Sequence, residues 1–180
     1  LVDATTAVLA EVAEARPGAA GAPPAVGLKW PNDLLVDGRK AAGLLAEAHS
    51  EGARLDWVLL GMGVNVGQGA DDFPRDLAGR ATSLRLVAGT AVDRVALLGA
   101  WGARFAAGYA ALAAGEAGPT LAAYRERLDT LGRQVRVELL GGEAVEGVAV
   151  GLGADGALAL RTAASAEVHV ASGDVEHLRL

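Results

Sequence analysis

KWPNDLLVDGRKAAG, residues 29–43, decides how this chain is read. It holds the only two lysines among 16 basic residues, Lys29 and Lys40. It also holds Asn32, one of only two asparagines; the other, Asn65, follows in GMGVN at residues 61–65. A chain that otherwise writes its positive charge as arginine keeps lysine and asparagine for one neighbourhood. An ammonium is a compact point charge where a guanidinium is a planar fork, and an amide can both donate and accept. The window is therefore a candidate site.

The same window sets the local fold. Pro31 pushes Trp30 toward extended backbone, so AVGLKW ends as a strand and PND turns away from it. LLV resumes a strand, Asp37-Gly38 is a two-residue hairpin signal, and RKAAGLLAEAHS is the return strand. DWVLLGMGVNV, residues 56–66, is a third strand, and an antiparallel meander is the simplest assembly. Strict alternation puts Lys40 and Gly43 on opposite faces, so both meet one ligand only through a bulge near Gly43. Alternation also puts Gly61, Gly63 and Asn65 on one face and Met62, Val64 and Val66 on the other. One face packs into a core, and the other leaves room for a flat ligand. Such glycines equally mark a bulge or tight sheet packing. A dinucleotide fingerprint is excluded, because its third glycine position is Val66 and no helix pattern follows. Taken alone, Lys40 reads as a solvated surface lysine, and Lys29 with Asp33 as an ion pair across a proline turn.

Outward from the window, residues 3–15 read as an alanine-rich helix ended by the proline- and glycine-rich loop 16–24. Residues 67–84 form a long polar connection, of the kind used as lids and binding loops. Thr90 and Asp93 resemble a helix cap. Val95, Leu98, Trp101, Phe105, Tyr109 and Leu112 then recur at helical spacing, a stripe expected to face a core. Gly118-Pro119 separates this helix from TLAAYRERLDTLG, which ends at Gly132. Beyond it the period becomes two, and about five short strands suggest a small closed barrel that protects its edges. The domain boundary is placed at 131/132, giving domains 1–131 and 132–180.

Composition narrows the function. The 180 residues are 52% apolar, enough for one good core or a core with a small satellite domain. A net charge of -6 argues against an extended nucleic-acid face. No apolar run of membrane-spanning length and no basic-then-apolar signal segment stand out. The absence of cysteine removes disulfides and thiolate chemistry and fits a cytoplasmic protein. His49, His169 and His177 show no ligand spacing, so no metal site is assigned, and no serine lies in a nucleophile elbow. The chain opens without methionine, inside a helical pattern, and reads as part of a longer protein.

KWPND, the hairpin, RKAAGLLAE, GMGVNV, FP and ATSL, in this order and spacing, resemble the bacterial biotin protein ligases. That family's RKLAG is RKAAG here, a departure at Ala41, and SGDVEHLRL is similar to the end of its SH3-like domain. The resemblance implies an α+β fold, a mixed or antiparallel sheet with helices like a class II aminoacyl-tRNA synthetase, N-terminally incomplete, followed by an SH3-like β-barrel. It implies a ligase that joins biotin to ATP, supplied with Mg2+, giving biotinyl-5'-AMP and pyrophosphate. Biotin then passes to a lysine of a biotin carboxyl carrier protein, such as that of acetyl-CoA carboxylase. Lys40 and Asp33 are the implied catalytic residues: Lys40 as the key cation, Asp33 as an orienting carboxylate. Lys40, Gly43, Leu45, Gly61 and Gly63 are implied to line the biotin slot. Asn65 is implied to read the adenine edge. Lys29 and Asn32 are placed at the ATP side, with holding the turn as their alternative, and Trp30 is also given to the turn. The family's GRGR-type loop does not occur in these residues, so the polypeptide alone is expected to make biotinyl-adenylate poorly. No helix-turn-helix supports a nucleic-acid partner, no membrane partner is implied, and a homodimer stays open. A lipoate or octanoate transferase, or a non-catalytic interaction module, are the competing functions; KWPND together with GxGxN favours biotin.

Overall fold

Four strands carry the window: β1 (Val26–Lys29), β2 (Asp33–Val36), β3 (Arg39–Glu51) and β4 (Arg54–Val64). The computed structural model describes residues 5–9, 23–52, 54–139 and 141–178. Residues 5–9 are helical; the rest of the helix expected over 3–15, and nearly all of the loop 16–24, lie outside the described residues. The chain forms two compact units, one of residues 1–26 and 32–105, the other of 27–31 and 106–180. It passes from one to the other inside KWPND, at the bond joining Pro31 to Asn32.

In the first unit β2, β3 and β4 form the expected antiparallel meander. Asp37 (φ 48°) and Gly38 (φ 72°) are both left-handed, which matches the right-handed twist of the strands they join. The Asp37 N–H donates to Ala25 O at 2.8 Å, and its carboxylate accepts the Ala25 N–H at 2.9 Å. Register runs Leu34↔Ala42 and then Leu35↔Lys40, leaving Ala41 as the extra residue of a β-bulge. Leu34, Val36 and Ala41 are fully buried. The far ends of β3 and β4 expose Leu55, Trp57, Val58 and Leu59.

The polar connection after β4 is more ordered than its composition suggests. Two short 3-10 turns, Ala70–Asp72 and Arg75–Leu77, lead to a parallel bridge between Lys40 and Ala81. Helix α1 (Leu84–Ala88) follows, unexpected from sequence, capped by Ser83 Oγ accepting the Leu86 N–H and closed by left-handed Gly89. Helix α2 (Arg94–Ala113) is capped by Asp93, whose carboxylate accepts the Val95 and Ala96 N–H groups. Thr90 is not the cap. The apolar stripe is not core either: Val95 is 78% exposed and Tyr109 61%, and only Leu97 of this helix is buried. By length and composition α2 is long and apolar enough to cross a bilayer, contrary to the expectation that no apolar run has that length; it carries Arg94 and Arg104.

In the second unit the helix break falls at left-handed Gly115. Helix α3 (Ala117–Glu126) carries Gly118-Pro119 within its first turn, where a missing N–H costs nothing, and it ends well before Gly132. Five strands follow as expected: β5 (Gln134–Glu138), β6 (Ala144–Leu152), β7 (Leu158–Arg161), β8 (Glu167–Val170) and β9 (Asp174–His177). They form an antiparallel sheet in the order β8-β7-β6-β5-β9. The expected barrel closure is not seen, because β8 and β9 end the order with no ladder joining them among the described residues. Alternation buries Val135, Val137, Leu158, Leu160 and Val175, and Trp30 and Leu128 complete this core. The Trp30–Pro31 peptide is cis.

Candidate functional site

The bulge decides the site. With Ala41 set aside, Lys40 comes round to the side of Gly43. A Cβ built on Gly43 would stand 3.4 Å from Lys40 Cε and 3.4 Å from Asp33 Oδ1. The required bulge is therefore real, and it lies two residues before Gly43. Lys40 Nζ and Asp33 Oδ1 are 2.6 Å apart, the lysine side chain 52% exposed and the aspartate 10%. The carboxylate is thus held against the sheet while the ammonium stays within reach of a solute. The Lys40 backbone is held on its outer side as well: its N–H donates to Arg80 O at 2.8 Å and its carbonyl accepts the Thr82 N–H at 2.9 Å. Ala81 and Thr82 entered the sequence reading only as part of ATSL, and the bracing of Lys40 by residues 80–82 was not foreseen.

Cross-strand partners share a face, so Asp33, Gly43 and Gly63 form one row and Leu45 and Gly61 the next. Gly61 is open except for Leu45 O at 3.8 Å from a built Cβ, and nothing lies within 4 Å at Gly63. Among the described residues, nothing in the packing requires either glycine. Glycine within a strand costs about 0.5–1 kcal/mol relative to alanine, so the vacant floor is a cost to folding that an external occupant would explain. Leu45 is 61% exposed at the end of this floor. The opposite face of β4 packs only in part: Met62, Val64 and Val66 join Leu97, Leu98, Gln68 and Arg94 around a cavity of about 340 Å³.

The amides lock backbone. The Asn65 side chain donates to Thr82 O at 3.1 Å, and its main-chain N–H donates to Ala41 O at 2.8 Å. Asn32 Nδ2 donates to Leu44 O at 2.6 Å, while the Leu44 N–H returns a bond to Asn32 O at 3.0 Å. Asn32 therefore holds the turn. Lys29 belongs to the second unit, where its charge acts on His177. Trp30 is 2% exposed, its main-chain N–H bonded to Thr130 Oγ1 and its indole N–H to Gly156 O, both at 3.0 Å. His177 lies 3.2 Å from the same Thr130 hydroxyl. Burial, then the positive charges of Arg133 and Lys29, hold its imidazole below the ordinary value, with Asp129 opposing. Among the described residues no cluster of three or more acidic or histidine side chains forms a metal site.

Similarity to known proteins extends over most of the chain. Residues 4–65 match the biotin/lipoate A/B protein ligase family, and residues 130–178 match the biotin protein ligase C-terminal domain. The biotin–[acetyl-CoA-carboxylase] ligase of Mycobacterium tuberculosis is 42% identical over 163 residues, which cover 87% of this chain and 55% of that one. The chain thus spans about half the length of that relative. An apo structure of the Aquifex aeolicus biotin protein ligase aligns with TM-score 0.75 at 24% identity, over 97% of this chain and 72% of that one. The same enzyme with biotin and ATP aligns with TM-score 0.70 at 23% identity, over 99% and 72%. The fold, a mixed α+β part and a small antiparallel β-domain, is that of the Aquifex aeolicus structure. Both matched stretches, residues 4–65 and 130–178, are thus similar to biotin protein ligases.

Proposed function

We propose that this chain is the greater part of an ATP-dependent biotin protein ligase. The observation that carries it is the side-chain-free floor at Gly61 and Gly63, bordered by the Lys40–Asp33 pair. A flat bicyclic acid with an extended tail fits a floor without side chains, and its carboxylate needs a cation at the end. Lys40 is that cation. As the biotin carboxylate attacks the α-phosphate, negative charge moves from carboxylate to phosphoryl oxygens, and a mobile ammonium can follow it. Pyrophosphate leaves, and an acceptor lysine then attacks the mixed anhydride and releases AMP. Asp33 orients Lys40 in the first step and the incoming amine in the second.

Gly43, Leu45, Gly61 and Gly63 form the biotin slot, and Asn65, bonded to Thr82 O, faces the adenine edge. Asn32 acts at the nucleotide side by fixing the turn, and a role there for Lys29 rests on the family resemblance alone. Mg2+ enters with ATP as part of the substrate. The acceptor is a biotin carboxyl carrier domain, the setting is the cytoplasm, and a homodimer is the assembly to test first. Domains 1–131 and 132–180 belong to this reading; the C-terminal family match from residue 130 supports it. That match is to a biotin ligase domain, which favours biotin over lipoate. The Aquifex aeolicus enzyme solved with biotin and ATP supports both ligands.

Lys40→Ala in the full-length chain should lower biotin-dependent pyrophosphate exchange by about 100-fold or more, in line with loss of a transition-state charge partner. Undiminished exchange would remove Lys40 from the mechanism. Transfer of lipoate but not biotin would replace the substrate.

A further inference from the structure

We propose that Thr82 is a positioning residue for Lys40: with Asn65 it closes a ring of hydrogen bonds that fixes the bulge bringing the ammonium to Asp33. This rests on the ligase reading only for the chemistry assigned to Lys40. Every residue of the ring belongs to the first unit. A bulge disrupts the ladder around it, and buried main-chain groups must then find partners elsewhere. Here the shortage falls on one side. β4 ends at Val64, whose neighbour Ala42 is the last partner on β3, so Lys40 and the fully buried Ala41 lie beyond that ladder. The Ala41 carbonyl accepts the Asn65 N–H at 2.8 Å. The Lys40 N–H donates to Arg80 O at 2.8 Å, and the Lys40 carbonyl accepts the Thr82 N–H at 2.9 Å. The Thr82 carbonyl in turn accepts the Asn65 side-chain N–H at 3.1 Å, which closes the ring.

Residues 80–82 are tied at both ends. The Arg80 and Ala81 N–H groups both donate to Leu77 O at 3.0 Å. Beyond them Ser83 Oγ donates to Gln68 O at 2.6 Å, and the Leu84 N–H to Asn65 O at 2.9 Å. The segment is a strap fastened on each side of Lys40, and the main chain of Thr82 is its grip. The Thr82 hydroxyl has no part in it: the residue is fully buried, and its Oγ1 has no partner among the described residues. Two substitutions at one position therefore separate grip from side chain. Thr82→Val keeps the shape and the N–H, whereas Thr82→Pro deletes the N–H that holds Lys40. Rigid support of this kind matters, since displacement of about 1 Å at a reacting group can cost about 100-fold in rate. Thr82 acts through the Lys40 main chain.

The test is biotin-dependent pyrophosphate exchange by both variants of the full-length chain, with hydrogen exchange on the ligand-free protein beside it. Thr82→Val should keep kcat within about twofold, because an unpartnered buried hydroxyl contributes nothing by staying. Thr82→Pro should lower kcat by about 100-fold, with KM for biotin far less affected. The Lys40 amide should exchange about 10-fold faster in that variant, a local opening. Asn65→Ala cuts the other tie. With no nucleotide present any adenine contact is silent, and the Lys40 amide should again exchange about 10-fold faster. The β3–β4 ladder beyond Leu45 should exchange as in wild type. An unchanged Lys40 amide in Asn65→Ala, or equal acceleration along the whole ladder, would overturn the proposal. So would a Thr82→Val variant as slow as Thr82→Pro, or one with a raised KM for ATP, since either would put the hydroxyl itself to use. Should Thr82→Pro fail to fold, Asn65→Ala carries the exchange readout and Thr82→Val the kinetic one. Hydrogen exchange needs no activity, so a wild-type chain that makes no biotinyl-adenylate would sink the ligase reading and leave the strap to be judged by itself.

Discussion

Gly63 poses a question at the scale of single residues: why keep a glycine that the packing of the described residues does not require? Nothing stands within 4 Å of a Cβ built at Gly63, and its conformation is not left-handed. Alanine there should therefore leave the melting temperature unchanged or raise it slightly, since strand glycine is itself unfavourable by about 0.5–1 kcal/mol. On the proposed reading biotin affinity should drop, because the new methyl would stand in the slot assigned to the ligand. Calorimetric titration beside a thermal melt on Gly63→Ala checks this. A variant that melts normally and binds biotin as before would return the glycine to plain sheet chemistry. Lys40 was legible for a related reason. A sequence that avoids lysine yet places one three residues before a glycine needs a bulge to make both useful, and the bulge is at Ala41. Thr130 was not legible. It lies 100 residues from Trp30, and no local pattern points to a hydroxyl that will accept its N–H.

Elements were readable where their signal is short-range. Period-two alternation and the Asp37-Gly38 pair gave β2, β3 and β4, because a left-handed two-residue turn and a one-sided sheet leave little choice of register. Helix α1 escaped because five residues are too few to show a period. The α2 stripe misled for another reason: helical spacing reveals an apolar face but not what covers it, and this face is exposed. Gly118-Pro119 looked like a break because proline cannot sit inside a helix, yet it is accepted in the first turn, where N–H groups have no partner anyway. Glycines too differ by element. At Gly147 in β6 a Cβ would fall 2.6 Å from Arg161 O and 3.0 Å from Arg161 C, both main-chain atoms of the β7 end that cannot swing aside. Gly147→Ala should cost about 1–3 kcal/mol, the usual range for forced overpacking. Denaturant unfolding measures it, and a wild-type midpoint would show that β6 and β7 can spread. The same substitution is thus neutral at Gly63 and damaging at Gly147, and a sequence alone shows only two glycines in strands.

At the scale of the whole chain, the balance of charge gives one further handle. The net charge is -6, so acidification lowers self-repulsion at first, and a loss of stability between neutrality and mild acid needs a specific cause. His177 supplies one. Its imidazole is half-buried in the second unit beside Thr130, with Arg133 and Lys29 on the repulsive side. Asp129 is the one opposing charge, and it is already bound by Arg133 at 2.8 Å. Folding therefore depresses the pKa of His177 below the unfolded value of about 6.5. Between those two values the unfolded chain binds more protons than the folded one, so stability rises with pH. The contribution is complete above about pH 6.5 and is lost as pH falls toward the folded value. Melting temperatures taken from pH 7.5 to pH 5 should fall toward acid, and His177→Gln should flatten part of that slope while leaving the neutral-pH melt nearly in place. The difference between the two curves isolates the imidazole from the carboxylates, which titrate lower. Parallel curves would mean that His177 ionises in place at no cost, and that the Thr130 hydroxyl beside it serves Trp30 alone.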